Sequence, residues 1–163
     1  MKKGAQEMSM ARFYGMPGHL IRRAQQIAVS LFLEECSSLE LTPVQYAALV
    51  AIDHNPELDA TRLSALVAFD RSTLSNVLER LESKGLIARI NGKNDKRVKV
   101  LHLTLAGKST LEAAHPMVQR VQDRILEPIA AGDRDVFLRL ISDLVDYHNE
   151  SSRAPLKVVG AGR

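Results

Sequence analysis

Residues 59–104 read DATRLSALVAFDRSTLSNVLERLESKGLIARINGKNDKRVKVLHLT, and this stretch decides the fold. Leu63, Leu66 and Val67 share one face at spacings of three and four, which predicts a short helix. Asp59 stands where an N-cap belongs, with Leu58 and Leu63 placed to close a hydrophobic staple around it. The same device returns at Asp70, flanked by Phe69 and Leu74. Two helices that begin so close together need a tight turn, here Ala68-Phe69-Asp70, and the pair makes a helix-turn-helix.

The second helix directs Leu74, Val77, Leu78 and Leu81 inward. Its other side offers Arg71, Ser72, Thr73, Ser75, Asn76, Glu79 and Arg80. Hydroxyls, an amide and guanidinium groups are what reach base edges and phosphates in a major groove. Gly85 predicts a left-handed helix end. Strand-like residues 86–91 and 98–103 flank Asn91-Gly92, a hairpin signal. The loop between them carries Lys93, Lys96 and Arg97 against one acid, Asp95. A charged loop tip faces solvent by default. Behind a recognition helix it also forms a wing for the phosphate backbone or the minor groove.

These features resemble the MarR family of bacterial winged-helix regulators. The resemblance is carried by LERLESKGLI at 78–87, by Asp95-Lys96-Arg97 and by Leu103-Thr104, and it spans residues 17–150. It implies a mainly α fold with a small β-hairpin wing, a winged helix-turn-helix lobe joined to a helical dimerisation region. It also implies that Arg97 enters the minor groove with Asp95 helping to hold it. The terminal helices are then expected to pack across a two-fold axis as a homodimer. The partner is expected to be double-stranded DNA, a pseudo-palindromic operator. Many members of the family are released from DNA by small aromatic or phenolic acids, which implies a small-molecule effector and, as the expected sign of regulation, repression.

Charge is distributed accordingly. Residues 71–108 hold nine lysines and arginines against three acids, a local charge of +6 in a chain whose total is +3. Positive charge thus collects where the groove-binding elements are expected. A winged helix that binds only proteins is the rival reading, since basic loops are commonly just solvated.

Outward from this stretch, residues 1–16 read as a loose, flexible tail without periodicity. Pro17 suits the first turn of a helix, and the stripe from Leu20 to Phe32 is broad enough for burial on more than one side. Thr42, Pro43 and Gln45 make a capping box with a proline at the first helical position, and Leu41 can staple to Tyr46. That helix should stop at Asn55-Pro56. After the wing, Thr104 caps a long helix that Pro116 should kink or divide. Asp133 is expected to cap a last helix whose stripe holds Phe137, Leu140, Ile141 and Leu144, the expected dimer interface. The expected organisation is a tail over 1–16, a dimerisation helix over 17–40, the DNA-binding lobe over 41–104, dimerisation helices over 105–150 and a tail over 151–163.

The composition excludes several classes. Hydrophobic residues make up 45% of the 163-residue chain and charged residues 25%, enough for a core and ordinary for a soluble protein. No apolar run approaches the ~20 residues of a membrane helix. The first residues lack the apolar core of a secretory signal. A single cysteine, Cys36, precludes an internal disulfide and suits a reducing cytoplasm. The five histidines include no pair at helical spacing, so no metal site and no cofactor are expected. No phosphate loop or nucleophile motif points to an enzyme.

Two further sites are open to alternative readings. Cys36 could sense oxidants, yet Glu34 and Glu35 beside it oppose thiolate formation, which favours an inert, partly buried thiol. His19, Arg22, Arg23 and Tyr46 lie on segments that could line an effector pocket, an arginine holding a carboxylate and apolar faces clasping a ring. The alternative is an arginine pair on a solvent face.

Overall fold

The computed structural model describes residues 9–157 apart from Asn94 and Lys96. Seven helices and one hairpin follow in order: α1 Met10–Tyr14, α2 Pro17–Glu35, α3 Pro43–His54, α4 Ala60–Val67, α5 Arg71–Ser83, β1 Ile87–Asn91, β2 Lys99–Leu103, α6 Leu105–Leu126 and α7 Arg134–Tyr147.

Local capping chemistry sets most of these boundaries. Thr42 Oγ1 accepts from the Gln45 N–H at 3.3 Å while Gln45 Oε1 accepts from the Thr42 N–H at 3.1 Å, a complete capping box. Asp59 accepts from the Arg62 N–H, and Asp70 from the Thr73 N–H, each at 2.9 Å. Gly85 takes the left-handed conformation at φ 68°. Ala68 takes it too (φ 52°), so the turn between α4 and α5 forces a non-glycine residue into a region that glycine prefers.

The core is centred in the lobe built by α3, α4, α5 and the hairpin and continues to α2 and α6 through Phe32, Leu111, Ala114 and Val121. Leu49, Leu58, Leu63, Leu78 and Leu81 are fully buried there, with Leu41, Leu86 and Leu101 around them. In the antiparallel hairpin Ile87 faces Leu103 and Asn91 faces Lys99. Asn91-Gly92 is therefore not a two-residue turn: Asn91 stays in the ladder, and the chain reverses over a wider loop closed by the Gly92 N–H to Val98 carbonyl bond at 2.9 Å. A single bridge pairs Asp59 with Val100, and the Leu101 N–H donates to the Leu58 carbonyl at 2.8 Å. The approach to α4 is thereby stitched to the wing.

The first turn of α6 is fused to this lobe. Thr104 Oγ1 accepts from the Gly107 N–H at 3.0 Å and donates to the Gly85 carbonyl at 2.6 Å. A Cβ at position 107 would overlap the Leu86 carbonyl, so only glycine permits the approach. Further along, α6 packs on α2 through Arg120 and Arg124, which both grip Glu35, while Arg124 also reaches Glu34. The two guanidinium groups hold the Glu35 carboxyl below its ordinary range. The helix runs unbroken through Pro116, so the division expected there does not occur.

Three other expectations need correction. Residues 10–14 of the expected N-terminal tail are helical, capped by Ser9, with Phe13 and Tyr14 packed on the His19 ring at 4.5 and 5.6 Å. Five residues are too few to display a period. Asp133 occupies the N-cap position of α7 but makes no side-chain cap bond, because a 3₁₀ turn at Ala131–Asp133 leads into the helix. The expected C-terminal tail is docked over residues 152–157: Asn149 clamps the Leu156 backbone and the Lys157 N–H donates to the Ala65 carbonyl at 2.9 Å.

Helix α7 buries none of its residues. Leu140, Ile141, Leu144 and Val145 are each about half exposed, Phe137 less so. The outer face of α2 is similarly bare at Leu20, Ile21 and Ile27.

Candidate nucleic-acid interface

Burial of Leu74, Val77, Leu78 and Leu81 fixes the rotation of α5 and leaves Arg71, Ser72, Ser75, Asn76 and Arg80 exposed. Thr73 is half-buried. The side chains of Arg71, Ser75, Asn76 and Arg80 have no hydrogen-bond partner among the described residues, so their donors are open to solvent on one face of the helix.

Ser72 and Thr73 behave differently. Both hydroxyls donate to Asp70, at 2.6 and 3.1 Å. Those bonds, the Ser72 hydroxyl foremost and then the Thr73 N–H, lower the Asp70 carboxyl from 3.8 to about 2. Their donor protons are committed, and each offers only its remaining lone pairs outward. They organise the start of the helix rather than reaching from it.

In the wing, the Asp95 carboxylate accepts from the Arg97 N–H at 2.8 Å, and the Asp95 carbonyl from the Val98 N–H at 3.1 Å. Asp95 thus holds the backbone of Arg97, not its guanidinium, and Arg97 and Lys93 are exposed. Lys96, expected as a third wing cation, lies outside the described residues. Three cations of the basic stretch turn back on the protein: Arg89 pairs with Glu82 at 2.9 Å, Lys84 donates to the Glu40 carbonyl at 2.6 Å, and Lys99 donates to the Asn91 side-chain oxygen at 2.6 Å.

Sequence reasoning overlooked Thr61 and Arg62, exposed on α4 beside this face. Together with Ser64, Arg71 and Arg89, Thr61 lines a groove between α4 and α5. The signal was available, since Leu63 inward puts Arg62 outward.

The four residues expected to form an effector pocket separate. His19 and Arg23 line a cleft of about 410 Å³ with Tyr14, Leu20 and Ile27, while Arg22 lies on the other side of His19 and donates to Gln26 at 2.9 Å. Tyr46 sits elsewhere, its ring 5.9 Å from Phe32 and 6.4 Å from His115. Phe32 is thirteen residues along α2 from His19, about 20 Å at the helical rise, so Tyr46 does not share that cleft within one chain.

Cys36 is fully buried, deeper than expected. Burial first, and Glu35 second, push its thiol up, away from the reactive range. Among the described residues no group of three or more histidines, cysteines or carboxylates could hold a metal ion, and no helix is long and apolar enough to cross a membrane.

A helix-turn-helix backed by a basic hairpin, with exposed polar and cationic side chains along one helix face, is the architecture of a winged-helix lobe. The model of the MarR family matches residues 41–99. The putative transcriptional regulatory protein for the hcr operon of Thauera aromatica is 30% identical over 145 residues, covering 88% of this chain and 86% of that one. Among solved structures, the repressor CouR bound to a 23-mer DNA duplex is 29% identical with a TM-score of 0.77, over 85% and 99% of the two chains. CouR has also been solved with p-coumaroyl-CoA. BpsR of Bordetella bronchiseptica, whose DNA binding is regulated by 6-hydroxynicotinic acid, is 25% identical with a TM-score of 0.76, over 82% and 96%. The chain belongs to the MarR family; it is a DNA-binding regulator of transcription and not an enzyme.

Proposed function

We propose that this chain acts in the cytoplasm as a homodimeric repressor that binds a pseudo-palindromic operator and is released by a small aromatic acid. The exposed face of α5 carries the reading: Arg71, Ser75, Asn76 and Arg80 present donors with no partner among the described residues, at the position where a recognition helix meets a major groove. Arg97 and Lys93 on the wing supply the backbone or minor-groove contacts, with Asp95 shaping the loop. Ser72 and Thr73 contribute through Asp70.

Residues 41–104 form the lobe, and 17–40 with 105–150 the dimerisation region. The bare faces of α7 and α2 support this division, since Phe137, Leu140, Ile141 and Leu144 need a cover that the described residues do not supply. One recognition helix reads only a few base pairs, and two read successive major grooves when held about 34–36 Å apart.

For the effector, the cleft at the start of α2 suits an aromatic acid. Tyr14, Leu20 and Ile27 can clasp a ring, and Arg23, with His19 and Arg22 close by, can hold a carboxylate. A ligand there alters the separation of the lobes, and with it affinity for DNA. The buried thiol of Cys36 argues against the redox alternative.

Fluorescence titration with the duplex upstream of the chain's own gene is the test. Binding well above that of a scrambled duplex is expected, reduced by hydroxybenzoates or hydroxynicotinates in the wild type but not in Arg23→Ala. Equal affinity for both duplexes would remove the operator-specific reading.

A further inference from the structure

The segment after α7 folds back onto the helix-turn-helix. Asn149 fixes it by a reciprocal pair: its side-chain oxygen accepts from the Leu156 N–H at 2.8 Å, and its amide donates to the Leu156 carbonyl at 3.1 Å. The Lys157 N–H then reaches the carbonyl of Ala65. Near the end of α4 that carbonyl belongs to the group a helix leaves unpaired, since the Ala68 and Phe69 N–H groups both go to Ser64. Ala154 and Pro155 are half-buried along the way. The segment is thus a strap with a defined seat.

Its cations have a defined place too. Arg153 is exposed and within electrostatic reach of Asp70, the residue that caps α5. Lys157 is exposed beside the end of α4. An ionised Asp70 at the head of a recognition helix sets negative charge against incoming phosphates, and Arg153 offsets it. The one acid in the strap's approach, Glu150, accepts from Asn149 at 3.3 Å. We propose that the strap is part of the DNA interface, with Arg153 and Lys157 meeting backbone phosphates that flank the groove read by α5. The inference rests on the DNA-binding reading above. It adds a contact from the C-terminal segment, outside the winged lobe.

The test compares wild type with the double variant Arg153→Ala/Lys157→Ala by anisotropy on operator and scrambled duplexes over a salt series. Each phosphate-neutralising cation contributes about 0.9 to the slope of log affinity against log salt, or about fivefold in affinity at 0.15 M. The double variant should lose about 1.8 in slope and about 30-fold in affinity per protomer, equally on both duplexes. Arg153→Lys/Lys157→Arg should restore both. Asn149→Ala, which keeps the cations but frees their seat, should weaken binding as well. Because Ala65 is held by a backbone N–H, the double variant should melt like wild type. Wild-type slope and affinity in the folded double variant would overturn the strap contact. A wild type that binds both duplexes equally would sink the operator-specific reading while leaving the salt slopes to decide the strap. A wild type that binds neither duplex would remove both.

Discussion

The lobe and the terminal helices solve opposite problems. In the lobe every apolar stripe finds its partner within the same chain, and Leu49, Leu58, Leu63, Leu78 and Leu81 are dry. In α7 no residue is buried, though its apolar stripe is as regular as that of α5. Periodicity therefore announces that a face will be covered without saying by what. The lobe is complete as one copy, whereas α7 keeps an apolar face that the described residues leave uncovered.

The contrast breaks most visibly by mutation on either side. Leu78→Ala should cost about 2–5 kcal/mol, read as a lower urea midpoint, because a dry core collapses only partly around a void. Leu144→Asp should leave that midpoint almost unmoved and dissociate the dimer, seen by sedimentation at micromolar concentration. A variant that stayed dimeric would show that α7 is not the shared face.

Gly107→Val comes next. The added carbons press on the Leu86 carbonyl, and overpacking of this kind costs about 1–3 kcal/mol, visible as a lower melting temperature. An unchanged melt would mean that α6 is not rigidly seated on the lobe.

Within the lobe, specificity and positioning should separate. Asn76→Ala should narrow the gap between operator and scrambled duplex by about 1–3 kcal/mol if the amide makes a bidentate base contact. Arg97→Ala should instead lower the salt slope by about 0.9 and keep the preference. Identical salt slopes for Arg97→Ala and wild type would take the wing off the DNA.

The smallest effect concerns acid. Asp70 has a folded-state value of about 2 against 3.8 when unperturbed, so its contribution is complete above the unfolded value and fades as pH falls from 3.8 towards 2. Asp70→Asn should flatten that part of the stability profile, and urea midpoints at pH 5, 3 and 2 would reveal it. Parallel profiles would show that Asp70 is not the group titrating there.

What could be read from sequence was what is local. The caps at Thr42, Asp59, Asp70 and Thr104 involve atoms within three residues of one another, and all four formed as the residue types imply. The inward face of α5 followed from spacing alone. What could not be read depends on distant chain meeting in space. Nothing in SSRAPLK says that Lys157 will find Ala65, and no spacing tells that Tyr46 joins Phe32 and His115 instead of His19. Ser72 and Thr73 are a subtler case. Their types suit DNA, but Asp70, two and three residues earlier, claims their protons first.

The Thr104 hydroxyl has a mechanical consequence. It caps α6 while holding Gly85, just beyond the end of α5, and Gly107 lets Leu86 lie against the same turn. The end of α5 and the start of α6 are therefore joined through one hydroxyl and one close backbone contact. A 22-residue helix is about 33 Å long, so α6 is a lever with its fulcrum at the wing. A tilt of about 5° at the joint corresponds to about 3 Å at the far end over that length. A displacement of a side chain's size at that far end would therefore reach α5 as a rotation of only a few degrees.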